Sequence, residues 1–114
     1  MIVKYNGILA IDTDYNLCYR ETMSDPWVKV SERGQKVNMT GIGITLKGQI
    51  IGVSVDNKLY FRNNLDSPWV KAADNGLLKK VAVTRDGIIY GIGTANSFMR
   101  RYIFHHSELI LFLL

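Results

Sequence analysis

The chain is predicted to be all-β, assembled from repeated antiparallel units of four short strands. Three observations predict this. Side chains alternate apolar and polar with a period of two over short runs, the pattern of a half-buried strand, as in Gln49–Val55. Turn pairs separate these runs: Asn6-Gly7, Lys47-Gly48, Asp56-Asn57 and Asp86-Gly87. Asn-Gly and Asp-Gly between alternating runs are strong hairpin signals, because such turns need positive φ. Finally, the pattern recurs: Trp27 and Trp69 lie 42 positions apart, and Gly48 and Gly87 lie 39 apart. A period near 40 with four short strands per repeat is the signature of a propeller blade.

Lys47–Val70 displays one repeat most fully. Ile51, Val53 and Val55 fall on one face of the predicted strand, and Ile50, Gly52 and Ser54 on the other. Asp56-Asn57 turns the chain, and Leu59–Arg62 resumes it with Leu59 and Phe61 on one face. Asn63-Asn64 and Asp66-Ser67-Pro68 interrupt, and Trp69–Ala72 begins a last alternation. The first repeat opens with Ile2–Tyr5, Asn6-Gly7 and Ile8–Ile11. Asp14–Arg20 then matches Asp56–Arg62, and Ser24–Val30 matches Asp66–Ala72. The third repeat opens with Val81–Thr84, Asp86-Gly87 and Ile88–Tyr90, and Ala95–Arg101 is its second hairpin. Where Ser-Pro-Trp-Val is expected, the chain instead reads Tyr102–Glu108 and then Leu109–Leu114. This tail is expected either to supply a fourth strand or to be an irregular end that packs poorly. The chain is thus read as one domain, 1–114, of three blade-like units at about 1–30, 31–72 and 73–114.

Composition narrows the function. A length of 114 residues suits one domain, and 47% apolar with 21% charged residues is globular rather than disordered. The pI is 9.3 and the charges behind the net +4 are scattered, with Lys79-Lys80 and Arg100-Arg101 the only basic pairs, so nucleic acid is not expected as a partner. Cys18, the single cysteine, rules out an internal disulfide and reads as a packed or half-exposed thiol. The first residues lack the apolar core of a signal peptide, and Leu109–Leu114 falls far short of the ~20 apolar residues that span a bilayer. The chain is therefore expected to be soluble: cytoplasmic, or secreted if it is part of a longer product.

The motifs DG-x-I-x-G-I-G-T (Asp86–Thr94), D-N-x-L-Y-x-R (Asp56–Arg62) and S-P-W-V-K (Ser67–Lys71) are together similar to the tectonin or tachylectin type of β-propeller repeat. The resemblance covers about residues 2–101. It implies a propeller and a non-catalytic, lectin-like carbohydrate-binding module. Family members place an Asp-Asn-Trp segment near the sugar, whereas this chain has Asp25-Pro26-Trp27 and Ser67-Pro68-Trp69. Propellers close with about four to eight blades, so three units imply half of an oligomeric ring or part of a longer propeller. A homodimer would complete a six-bladed ring.

Candidate ligand-binding residues follow from the repeats. Trp27 and Trp69 offer a flat apolar face to a pyranose ring, with Asp25, Asp66 and Ser67 nearby to bond hydroxyls; the competing role is a structural tryptophan between blades. Tyr19, Tyr60, Arg20 and Arg62 recur on the second hairpin, where they serve either a saccharide or anionic ligand or, for the arginines, a solvated outer face. No cofactor and no metal site is expected. His105 and His106, adjacent on a strand, point to opposite faces and cannot share one ion with Glu108, and Asp12-Thr13-Asp14 reads as a turn. Gly41-Ile42-Gly43 and Gly91-Ile92-Gly93 lack the GK[ST] of a phosphate loop, and no G-x-S-x-G elbow occurs. No acid/base constellation recurs between repeats, so an enzyme is not expected. The alternative to a lectin is a structural or protein-interaction propeller piece with no sugar site.

Overall fold

The computed structural model describes residues 7–30, 34–72, 77–84, 87–94, 99–105 and 108–113. Every regular element among them is a strand: β1 Ile8–Ile11, β2 Leu17–Arg20, β3 Val28–Lys29, β4 Met39–Ile44, β5 Ile50–Ser54, β6 Leu59–Arg62, β7 Val70–Lys71, β8 Leu78–Val83, β9 Ile89–Gly93, β10 Met99–His105 and β11 Glu108–Leu113. They form three antiparallel sheets of three, four and four strands, ordered β1-β2-β3, β4-β5-β6-β7 and β8-β9-β10-β11. Each sheet is a simple meander, and none closes on itself. No helix among the described residues is long and apolar enough to cross a membrane.

Four hairpins share one loop design. In each, a residue with a short polar side chain closes the loop with a residue four positions on: Asp12 with Asn16, Thr45 with Gln49, Ser54 with Lys58, and Thr84 with Ile88, at 2.9–3.0 Å from N to O. The side-chain oxygen of the first residue then accepts the backbone N–H of the last, at 2.9, 3.1, 3.1 and 3.2 Å respectively. The residue before the last is left-handed: Tyr15 (φ 64), Gly48 (φ 84), Asn57 (φ 67) and Gly87 (φ 86). Glycine and asparagine enter this region readily, whereas tyrosine enters it at a cost. Asp56 has no positive φ, so the Asp56-Asn57 pair bends through Asn57 alone.

The units are tied together at the same left-handed residues. The Tyr15 carbonyl accepts the N–H of Met39, the first residue of β4, at 3.1 Å. The Asn57 carbonyl likewise accepts the N–H of Leu78, the first residue of β8, at 2.8 Å. Asn57 adds a second link, its Nδ2 donating to the Leu78 carbonyl at 3.0 Å. A register irregularity follows both first residues, between Met39 and Gly41 and between Leu78 and Lys80. β4 packs against β8 and β1.

One core joins the second and third sheets: Ile51, Val53, Leu59, Phe61 and Ala72 from one, Leu78, Ile89 and Tyr102 from the other, with Val81 and Val83 packed against it. The expected half-buried β5 is buried along its whole length. Its alternation survives chemically, with Ile51 and Val53 toward the third sheet and Gly52 and Ser54 opposite. The opposite face, however, is covered by Met39, Arg62 and the Trp69 loop rather than by water. Val55, expected on the same face as Ile51 and Val53, stands in the turn and is exposed.

The apolar tail forms the fourth strand of the third sheet. β11 pairs with β10 over six positions, from Arg100↔Leu113 to His105↔Glu108. Only residues 106 and 107 separate the two strands, where the other sheets carry a long loop ending in tryptophan.

Candidate functional site

The strongest site features sit on the Trp loops. In the second sheet the loop runs from Arg62 to Trp69 and is held from within. Asn64 Oδ1 accepts the Asp66 N–H at 2.8 Å and the Ser67 hydroxyl at 3.0 Å. Arg62 turns back under the loop, its Nε donating to the Asn64 carbonyl at 3.1 Å and its Nη2 to the Leu65 carbonyl at 2.7 Å. Its guanidinium lies over the Trp69 ring, 5.2 Å from the centroid. Such a stack is favourable because the ring face is electron-rich. The first sheet repeats the scheme with other residues. Asp25 Oδ2 accepts the Thr22 N–H at 3.0 Å and the Thr22 hydroxyl at 2.9 Å. Arg20 stacks on Trp27 at 4.3 Å.

The arginines therefore do not lie on a solvated outer face. Arg62 is 1% exposed. A guanidinium with its hydrogens on loop carbonyls and its plane on an indole is stable in that position, and it is committed to shaping the loop. Arg20 is half-buried, and its Nε has no hydrogen-bond partner among the described residues.

Strand register brings each tryptophan to a cleft. Trp69 and Lys71 are two positions apart and share a face, and Lys71 pairs with Tyr60, which pairs with Gly52. Lys29 pairs likewise with Cys18, which pairs with Ala10. Gly52 gives the indole its place: a Cβ there would stand 3.1 Å from Trp69 Cη2 and 2.7 Å from Met39 Sδ. The cleft on the second sheet has a volume of about 580 Å³ and is lined by Trp69, Tyr60, Lys71, Ser54, Val55 and Asp56 and by residues 35–38. The cleft on the first sheet, about 330 Å³, is lined by Trp27, Lys29, Cys18, Asp12, Ala10 and Ile11. Asp12 occupies the repeat position of Ser54, and Cys18 that of Tyr60.

The two clefts differ in charge and polarity. In the first, Asp12 is saturated: Oδ1 accepts the N–H groups of Asp14 and Asn16, both at 2.9 Å, and Oδ2 accepts the Asn16 amide at 3.2 Å and lies 3.6 Å from Cys18 Sγ. The Asn16 N–H, followed by the other donors, holds this carboxyl below its ordinary value. Burial pushes the Cys18 thiol up, the Asp12 charge adds to that, and the Lys29 charge opposes it. Cys18 is buried, as a packed thiol. In the second cleft, Asp56 accepts a short hydrogen bond from the Ser54 hydroxyl. The ammonium groups of Lys36 and Lys71 make no hydrogen bond or ion pair with the described residues.

Of the residues singled out from sequence, Trp69 and Tyr60 share the second cleft and Trp27 lines the first. Asp25, Asp66, Ser67 and Arg62 line neither; Asp25, Ser67 and Arg62 spend their polar groups inside the loops. Tyr19 lies on the opposite face of β2 from Cys18, paired with Leu9 and Val28. Sequence reasoning missed Lys29 and Lys71, although the repeated Trp-Val-Lys carried the signal, since positions i and i+2 of a strand share a face. It also missed Lys36 and Asn38, which lie outside the repeated motifs. His106 falls outside the described residues, and among those described no three His, Cys, Asp or Glu groups gather to hold a metal.

No family model matches the chain, and no curated protein matches it either.

Proposed function

We propose that the chain is a non-catalytic, lectin-like carbohydrate-binding module, its three sheets being consecutive blades of a partial propeller. The observation that carries this reading is the recurrence, one repeat apart, of a cleft with a tryptophan wall and a lysine two positions on. An indole face takes the C–H side of a pyranose, and the polar rim supplies hydroxyl partners. Single shallow sites of this kind bind weakly, and useful avidity comes from repetition. Self-association into a two-chain, six-bladed ring would multiply the sites, and light scattering after size exclusion reads that state directly.

The test is a glycan array followed by competition with free monosaccharide. Retention displaced by a free sugar supports the reading. Retention that no monosaccharide displaces, or none at all, refutes it. A second reading, a structural or protein-interaction propeller piece, draws on the Arg62–Trp69 and Arg20–Trp27 stacks, which tie each indole to its own loop. Under that reading Trp69→Phe leaves all binding unchanged.

A further inference from the structure

Resting on the lectin-like reading, we infer that the second cleft alone is the working site and that it selects a saccharide bearing a carboxylate. Lys36 and Lys71 both line the cleft, together with Trp69 and Tyr60. The one acid among its described lining residues, Asp56, accepts a hydrogen bond from the Ser54 hydroxyl. Two ammonium groups without partners among the described residues, against one carboxylate, leave the described lining positive. An anionic group seated there gains charge-assisted hydrogen bonds while its ring rests on the indole. Lysine is well matched to such a group, because its ammonium is a mobile point charge with three donors and can follow a carboxylate on a ring of variable pose.

The first cleft is the blunted copy. Cys18 replaces the Tyr60 ring and hydroxyl, Ala10 and Ile11 add apolar lining, and among the described lining residues Asp12 balances Lys29. Its acid has donors on both oxygens, and its thiol is buried, so neither offers a sugar hydroxyl a free partner. Its volume is little more than half that of the second cleft.

The experiment uses the whole chain and its two tryptophans as fluorescent reporters. Methyl glucuronoside and methyl glucoside are titrated at low salt; they share a ring and differ at the carboxylate. The acidic probe is expected to bind about ten-fold tighter, the scale of one charge-assisted hydrogen bond. Lys71→Gln brings it down to the neutral probe's level, whereas Lys29→Gln leaves it unchanged. Trp27→Phe keeps the fluorescence response, which then comes from Trp69 alone. Acetate at matched concentration does not compete, which separates a saccharide site from a bare anion site. Equal binding of both probes overturns the carboxylate selectivity and leaves the lectin reading standing. Binding of neither removes both. Loss with Lys29→Gln instead of Lys71→Gln assigns the wrong cleft and overturns the inference. Lys29 and Lys71 are both exposed, and thermal melts of the variants confirm that the fold is kept.

Discussion

Asn57 is the residue at which the fold can be tested most sharply. It does three jobs: it holds the left-handed turn between β5 and β6, its carbonyl accepts the Leu78 N–H, and its amide donates to the Leu78 carbonyl. Two substitutions separate these jobs. Asn57→Gly keeps the turn free and removes only the amide link, a loss of about 1 kcal/mol for one hydrogen bond. Greater freedom of the unfolded chain adds roughly 0.5 kcal/mol. Asn57→Ala loses the same bond and also the short polar side chain whose local hydrogen bonding eases asparagine into the left-handed region, for about 1 kcal/mol more. The reverse change is informative in the first unit. Tyr15 holds φ 64 with an exposed ring and cannot supply the amide link. Tyr15→Asn relieves the backbone and offers the Met39 carbonyl a donor, and it is expected to stabilise the chain by about 1 kcal/mol. Urea unfolding reads all three: with a slope of about 1–3 kcal/mol per molar, the midpoint falls by roughly 1 M for Asn57→Gly, falls further for Asn57→Ala, and rises for Tyr15→Asn. If Asn57→Gly unfolds with the parent chain, the side-chain link between the second and third sheets contributes nothing. If Tyr15→Asn destabilises, the two turns are not equivalent.

Three other perturbations bear on the clefts and their loops. Trp69→Ala removes a half-buried indole from Gly52 and Arg62 and is expected to cost about 2–3 kcal/mol, below the 3–5 of a fully buried aromatic; Trp27→Ala, at 43% exposure, costs less, and thermal melts rank the two. Gly52→Ala drives a methyl toward Trp69 Cη2 and Met39 Sδ, and overpacking of about 1–2 kcal/mol should appear as a lower melting temperature; the same substitution made in a Met39→Ala background should cost less than it does in the parent chain. The Asp12 carboxyl, held low chiefly by the Asn16 N–H, binds fewer protons when folded than when unfolded, so its contribution is present above the ordinary value of 3.8 and fades as pH falls through the lowered one. Asp12→Asn should therefore differ from the parent in urea midpoint at pH 7 and converge with it in acid; a gap that stays constant with pH contradicts the role of the charge.

Much of this architecture is legible in the chain because its signals are local. Gly48 and Gly87 mark left-handed turns, and the alternation of Ile50–Ser54 marks a strand whatever covers it. The 42-residue interval between tryptophans aligns the two loops. Tyr15 escaped that logic, since nothing in its side chain announces positive φ; only its alignment with Asn57 reveals the turn. β11 carried no alternation, because Leu109–Leu114 is apolar throughout, and its place comes from pairing with β10. The burial of Arg62 was not legible at all. Charged residues are mostly exposed, and only the loop carbonyls and the indole explain why this one is not. The cleft was half legible: Trp69 and Tyr60 come from the repeat, whereas Lys36 comes from a connecting segment that the repeat does not include.

The third sheet bears on function through what replaces its loop. A tryptophan cleft needs the long segment between the second-last and last strands of a sheet, because in both sheets that have one this segment carries the proline and the indole. In the third sheet only residues 106 and 107 join β10 to β11, and the strands run on as a six-position ladder. A ladder of that length aligns six pairs of backbone positions, and no room is left in it for an indole-bearing loop. The described sheets thus supply at most two tryptophan clefts per chain, and one if the first is blunted as its lining implies. Under the lectin-like reading proposed above, affinity on a multivalent surface would then arise between chains rather than within one. Glycan retention should rise steeply with the number of chains held together and be weaker, though still measurable, for an isolated one. A monomer that binds an array as strongly as an assembled or artificially linked pair contradicts this, and would require a site outside both clefts.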